Sequence, residues 1–378
     1  MADTGVSFRV LGPLQLTIGD STVELGTPKL RAVAAMLVLN RNRPVAIDAL
    51  TSAAWEDCPP PKARASIHSY ISDLRKIFAD HGVDPRAALA TAAPGYRLAV
   101  ADADYDLARF TAAKTAGVKA AAVGQFEQAS RHLTAALNEW HGPVLADLHE
   151  FQFVTTFATA LDEDKLLAHT AYAEAEIAGG RAHEVIVELQ TLTALYPYRE
   201  PLWAQLITAL YLAHRQADAL DACRRLRTIL EHDLGIDPGH TIRDLETRIL
   251  RQQPLDVIQA AMTTATLHMK TLENRSAGQG GSTTAHLRDL TTGSDYPLRS
   301  ASTKIGRLPD NDIVLDNAAI SRHHAVVVDT GTSYIVCDLR SANGVHIHNQ
   351  RIRGSAALTD GDRIRIGDHQ LMFEASPN

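Results

Sequence analysis

A chain of 378 residues is longer than one ordinary hydrophobic core organises and fits two or three domains. With 45% hydrophobic and 21% charged residues, each domain can bury a core unaided, and the single cysteines Cys58, Cys223 and Cys337 exclude a disulfide framework or a cysteine zinc site, pointing to a reducing, cytoplasmic setting. The net charge of −7 is unevenly spread: residues 1–100 hold 11 Lys and Arg against 9 Asp and Glu, residues 101–281 hold 16 against 24, and the remainder 10 against 11, so the acid sits in the middle and a local basic patch remains open to the N-terminal part.

The opening MADTGVSFRV lacks the basic-then-apolar order of a signal peptide, and no apolar run approaches the roughly 20 residues that span a bilayer. Alternating apolar residues in FRVLGPLQLTI and DSTVEL, split by Gly12-Pro13 and Gly19-Asp20, predict a short antiparallel meander. Thr27-Pro28 supplies a cap and a first-turn proline for a helix over about 28–40. A second helix is expected in IDALTSAAWE and a third in KARASIHSYISDLRKIFA, where Ile67, Ile71, Leu74 and Phe78 make one apolar stripe. The Pro-Gly of TAAPGYRLAV then turns into a hairpin strand, giving the order sheet, three helices, hairpin over residues 1–102.

Residues 103–256 read as helical almost throughout, with faces such as Phe126, Ala129, Leu133, Ala136 and Leu137. EIAGGRAHEVIVELQTLTALYP and YLAHRQADALDACRRLRTILEH place Arg181 and Arg215 at one point of a helix-turn-helix unit, an offset of 34 residues that is the period of tetratricopeptide-type (TPR-like) repeats. Such stacked hairpins are interaction scaffolds. NRSAGQGGSTT looks like a tether, so residues 257–284 are read as a linker. Beyond it, HAVVVD, SYIVCDL and DRIRIGDHQLMFE, with close turn signals, predict an all-β sandwich over 285–378.

Within that β region stand Gly306-Arg307, DNDIVL, Ser321-Arg322-His323-His324 and Ser341-Ala342-Asn343-Gly344. The ordered set resembles the forkhead-associated (FHA) domain, a phosphothreonine reader, over roughly residues 284–375. A phosphothreonine brings nearly two negative charges and several acceptor oxygens, which reward donors converging from separate loops. The resemblance implies that Arg307 pairs with the phosphate and Ser321 donates a hydroxyl. It further implies that Asn343 holds the peptide main chain and that Gly306, His324 and Gly344 shape the loops. Arg322 adds a second positive charge beside Ser321. Where the family often carries Ser or Thr, Ala342 offers no hydroxyl, and weakened binding is expected.

The N-terminal order resembles the OmpR-type winged helix-turn-helix, here without a receiver domain. By that resemblance the third helix enters the major groove and the hairpin rests on the backbone. The helix side opposite its apolar stripe presents Arg64, His68, Ser69, Ser72, Arg75 and Lys76, groups able to donate to base edges or phosphates, and Tyr96-Arg97 would be the wing contact. Asp73 on the same surface repels phosphate. With the helical array following it, and HDLGIDPGHTIRDLETRIL before Gln252-Gln253-Pro254, the chain resembles the SARP group of actinobacterial regulators, in which a winged helix precedes a bacterial transcriptional activation domain (BTAD).

The expected fold is thus multidomain α+β: a winged helix, an all-α TPR-like array and an all-β FHA sandwich. The implied partners are double-stranded promoter DNA, a phosphorylated Ser/Thr protein kinase and RNA polymerase, with no membrane, no metal and no cofactor. No P-loop, dinucleotide glycine fingerprint or nucleophile elbow occurs, so an enzyme is not expected. His323-His324 and His346-x-His348 lack a third ligand for a metal. A competing reading is an adaptor that docks on a kinase through the FHA domain and has little DNA-binding role.

Overall fold

The computed structural model describes residues 5–56, 58–276, 285–298, 300–352 and 354–375. Residues 277–284, the heart of the expected tether, lie outside the described residues. Strands β1 (Val6–Arg9), β2 (Gln15–Ile18) and β3 (Ser21–Val23) form the antiparallel meander. Helix α1 (Pro28–Leu39) starts where the Leu30 N–H donates to Thr27 Oγ1 at 3.4 Å and Pro28 takes the first turn, which needs no N–H donor. Strand β4 (Val45–Ala46) and α2 (Ile47–Trp55) precede α3 (Ala63–Asp80), which buries Ile67, Ile71, Leu74 and Phe78. After a single turn, α4 (Pro85–Ala88), the hairpin β5 (Leu89–Ala92) and β6 (Gly95–Leu98) closes against β4 in the order β4-β6-β5.

Helices α5 (Asp106–Ala122), α6 (Phe126–Leu137), α7 (Gln152–Ala178), α8 (Ile186–Leu195), α9 (Glu200–Leu212), α10 (Gln216–Leu234) and α11 (His240–Leu250) follow. A further helix, α12 (Val257–Ser276), occupies the first part of the segment read as a linker. Its apolar positions are diluted by threonines, and a helix that relies on packing one narrow stripe leaves little periodic signal.

The chain divides into two compact units, one of Met1–Ala112, Asn138–Asp164 and Thr271–Asn378, the other of Ala113–Leu137 and Lys165–Lys270. In the first unit the buried Asp106 carboxylate accepts the Val10 and Leu11 N–H groups, each at 2.8 Å, fastening the meander to the start of α5. The C-terminal sandwich comprises β7 (His286–Asp289), β8 (Asp295–Pro297), β9 (Ser302–Gly306), β10 (Ile313–Val314), β11 (Ala325–Asp329) and β12 (Tyr334–Asp338). It is completed by β13 (Val345–Ile347), β14 (Gln350–Arg351), β15 (Ser355–Leu358), β16 (Arg363–Ile366) and β17 (His369–Glu374). The two sheets run β10-β9-β11-β12-β15 and β14-β13-β16-β17-β7-β8, around a core that includes Leu287, Ile305, Val327, Val336, Ile364 and Phe373.

Strands β11 and β12 are buried on both faces. Val327 and Val336 point into the sandwich, while Val326, Val328, Ile335 and Cys337 pack on Phe157 and Ala160 of α7. At the edge of this contact Thr332 Oγ1 donates to Asp164 Oδ2 at 2.6 Å and Ser355 Oγ to Glu163 Oε2 at 3.3 Å. Sandwich and helix are therefore one packed body within this unit, a contact that the tether-like sequence left open.

In the second unit three helix corners repeat. Gly124, Gly180 and His214 adopt left-handed φ values of 77°, 80° and 61°. At each, the next residue's N–H returns to a carbonyl five residues back: Gln125 to Ala120, Arg181 to Glu176 and Arg215 to Leu210, all at 2.9 Å. The same turn closing the helix ahead of Arg181 and ahead of Arg215 is the physical content of the 34-residue repeat. Trp203 anchors the core of this unit beside Ile177, Leu189, Leu206, Cys223 and Leu226.

Candidate functional site

Strand β9 ends at Gly306, where a Cβ would lie 2.3 Å from the Arg322 carbonyl oxygen and 2.9 Å from both polar atoms of the Asn311 side chain. Only a glycine allows this approach, which zips two loops together: the Arg307 N–H donates to Ser321 O at 3.1 Å and the Leu308 N–H to Arg322 O at 3.3 Å. Asn311, buried beneath them, donates through Nδ2 to Leu308 O at 2.8 Å and Arg322 O at 2.9 Å. Its Oδ1 lies 3.2 Å from His323 Nδ1. Asn311 lies within DNDIVL, and its role is not legible there because one of its bonds reaches the backbone of a separate loop, at Arg322.

His324 is fully buried and takes two bonds that fix its tautomer. The Ser321 N–H donates to Nδ1 at 3.1 Å, so Nε2 carries the proton toward Gly344 O at 3.2 Å. Burial holds the imidazole below the ordinary histidine range, keeping it neutral. The three-residue spacing between Ser321 and His324 is thus a local turn, and the far edge of the ring ties that turn to a third loop. There Gly344 has φ of 73°, and a Cβ on it would meet Arg351 Nε at 2.3 Å.

The side chains that these loops display are those of the expected set. Arg307 and Arg322 are exposed and carry no side-chain hydrogen bond or ion pair among the described residues. Ser321 Oγ accepts the Ala342 N–H at 3.1 Å, which leaves the hydroxyl proton for a ligand. Asn343 is exposed and donates to Ala319 O at 2.7 Å, with Oδ1 unengaged. Two guanidinium groups, a hydroxyl and an amide thus stand on three mutually bonded loops, an arrangement suited to a doubly charged, multi-oxygen anion beside an extended peptide.

On the winged helix, His68, Ser69, Ser72 and Lys76 are exposed along α3, as is Arg97 on β6. Arg64 is exposed but lies 2.9 Å from Asp48. Two expectations change. Arg75 donates through Nε and Nη2 to Leu89 O at 3.0 and 2.8 Å and through Nη2 to Thr91 Oγ1 at 3.1 Å, with its guanidinium 5.7 Å from the Tyr96 ring centre. It holds the hairpin onto α3 and has few donors left for phosphate. Tyr96, expected as a wing contact, is buried, and its hydroxyl lies 2.7 Å from His68 Nδ1. The burial of Tyr96 and the Arg75 bonds to the hairpin arise from tertiary contact, which has no local sequence signal.

Among the described residues no cluster of three potential metal ligands occurs, and no helix is long and apolar enough to cross a membrane. Three family models match the chain: "Transcriptional regulatory protein, C terminal" over residues 20–98, "Bacterial transcriptional activator domain" over residues 105–250 and "FHA domain" over residues 303–367. The transcriptional regulatory protein EmbR of Mycobacterium tuberculosis is 62% identical over 98% of this chain and 96% of its own length. The regulatory protein AfsR of Streptomyces coelicolor is 34% identical over 69% of this chain and 26% of its own. A solved structure of Mycobacterium tuberculosis EmbR in complex with a low affinity phosphopeptide is 61% identical, covers 99% of both chains and superposes with a TM-score of 0.95.

Proposed function

The chain belongs to the EmbR family of SARP-type transcriptional regulators with a C-terminal FHA domain, and from that membership we propose that it binds promoter DNA through α3 and the β5–β6 wing and reads phosphothreonine on a partner through the loops around Arg307. The phosphate lies between the Arg307 and Arg322 guanidinium groups and accepts the Ser321 hydroxyl, while Asn343 grips the peptide main chain. The natural bearer of that phosphate is a Ser/Thr protein kinase or another phosphoprotein in the cytoplasm, and the output partner is RNA polymerase. The protein works by binding and not by catalysis. The winged helix is taken as residues 1–102, the activation domain as 103–256 with α12 added, and the FHA domain as 285–378.

One observation carries this reading: two unpaired arginines and a free hydroxyl proton are presented on loops whose every fixing bond, through Asn311, His324 and Gly306, is internal. Rigid donors without an acceptor call for an anion. The test is titration of the full chain with a phosphothreonine peptide and its unphosphorylated twin, following retention of double-stranded promoter fragments at fixed salt. Arg307→Ala is expected to lower phosphopeptide affinity at least tenfold, in line with about 1.5–3 kcal/mol for a charge-assisted bond. Lys76→Ala is expected to weaken DNA uniformly across sequences. Equal binding of the two peptides refutes the phosphothreonine role, and phosphopeptide binding without DNA retention at low salt favours the adaptor.

A further inference from the structure

The second unit contains a cavity of about 690 Å³ between the C-terminal half of α7, α9, α11 and the first half of α12, a size ordinary for small-ligand sites. Its walls are largely apolar, from Ile177, Ala204, Ile242, Leu245 and Val257. Against them stands Glu174 on α7. The carboxylate takes one hydrogen bond, from Gln205 Nε2 at 3.3 Å, and forms no ion pair among the described residues. Burial with no compensating cation pushes its pKa up to about 7.

Gln205 frames that acid from the neighbouring helix. This α9 side chain is 8% exposed; Nε2 donates to Thr170 O at 3.1 Å as well as to Glu174, which fixes the amide orientation, and Oε1 is buried with no partner. The remaining charged groups on the lining are Glu200, Asp244 and Asp256 against Arg248, with His240 at the rim, so the field is negative. Glu200 already accepts the Gly239 N–H at 2.7 Å, Asp256 caps α12 through the Gln259 N–H at 3.1 Å and Asp244 is exposed to water, leaving Glu174 as the sheltered acid beside the apolar wall.

We propose that this cavity is a binding site for a small organic amine, whose ammonium group pairs with Glu174 while its hydrocarbon body lies on the apolar wall. An ammonium supplies three donors and no acceptor, which suits a carboxylate that takes a single hydrogen bond and has no cation beside it. A bare metal ion would want several oxygen ligands, whereas the wall opposite the carboxylate is hydrocarbon. The site gives the regulator an input separate from the phosphopeptide loops.

The test uses the full chain and isothermal titration calorimetry with n-hexylamine, n-hexanol and hexanoate at neutral pH. Hexylammonium is expected to bind at one site, at least tenfold more tightly than hexanol, with hexanoate not binding. Glu174→Gln is expected to reduce the amine to the level of the alcohol. Ala260→Phe, which narrows the mouth from α12 and leaves the acid untouched, is expected to abolish amine binding, so the proposal stands or falls even where Glu174→Gln disturbs the fold. Equal affinity for amine and alcohol, unchanged amine binding in Ala260→Phe, or no binding of any probe overturns it.

Discussion

Replacing Asn311 by Ala removes the side chain that joins two of the three loops proposed to read the phosphate. Its amide donates to the Leu308 and Arg322 carbonyl oxygens and faces His323, and the residue is 7% exposed, so water does not readily replace it. Each bond is worth about 0.5–1.5 kcal/mol net, and a carbonyl left buried and unpaired costs more, so a loss of about 2–4 kcal/mol is expected locally. Because the chain has two compact units, a single unfolding transition is a poor readout. Amide hydrogen exchange across residues 305–325 of the full chain reports the loops directly. The Arg307 and Leu308 amides, which donate to Ser321 O and Arg322 O, are expected to exchange at least tenfold faster, and phosphothreonine affinity to fall by a similar factor. Wild-type exchange together with affinity within twofold of wild type would refute the claim that Asn311 holds the reader in shape.

Three further outcomes follow from the same structure. His324 is held neutral, with its pKa below the usual value of 6.5, so the folded state resists a proton that the unfolded chain accepts: stability is intact above pH 6.5 and declines as pH falls below it. An NMR titration of the imidazole should show a midpoint below 6.5, and a higher one contradicts the buried tautomer. Glu174 has the opposite sign: its carboxyl, raised from 4.5 to about 7, is strained when charged, so stability is lost as pH rises through that window, and Glu174→Gln should stabilise the second unit above pH 7 by up to about 3 kcal/mol and not at all near pH 4. Amide exchange of α7 and α9, compared between the two proteins at each pH, decides it. Phe157→Ala leaves a void under Val326 and Ile335; a local cost of about 3–5 kcal/mol is expected, read as faster exchange in β11 and β12, and unaltered protection there would show that α7 does not brace the sandwich.

What the sequence reveals here depends on how local the responsible physics is. The α1 start is visible because Thr27 and Pro28 act within one turn, and α3 because its buried positions keep helical spacing. The reader loops are legible because Ser321 and His324 bond each other across three residues and Gly306 is demanded by one close approach. The contacts of Arg75 and Tyr96 are not legible because their partners come from the neighbouring element, and a charged or hydroxylated side chain on an amphipathic helix or hairpin looks the same whether it faces water or a wing. Helix α12 escaped because threonines and a following glycine-rich stretch blurred its stripe. The packing of β11 and β12 on α7 did leave a trace: AVVVD and YIVCD do not alternate, and unbroken apolar runs in strands mean both faces are covered. Treating those runs as period-two strands hid the covering helix.

A regulator that carries a phosphothreonine reader and a DNA-binding winged helix in one compact unit should couple them, and such coupling is reciprocal in free energy. The decisive measurement is the phosphothreonine-peptide Kd of the full chain with and without saturating promoter DNA, paired with the DNA Kd with and without saturating peptide, all at one salt concentration. Both Kd values should change, by the same factor, and Arg307→Ala should erase the change. A factor of one in both directions would contradict a coupled switch and leave two modules that merely share a chain.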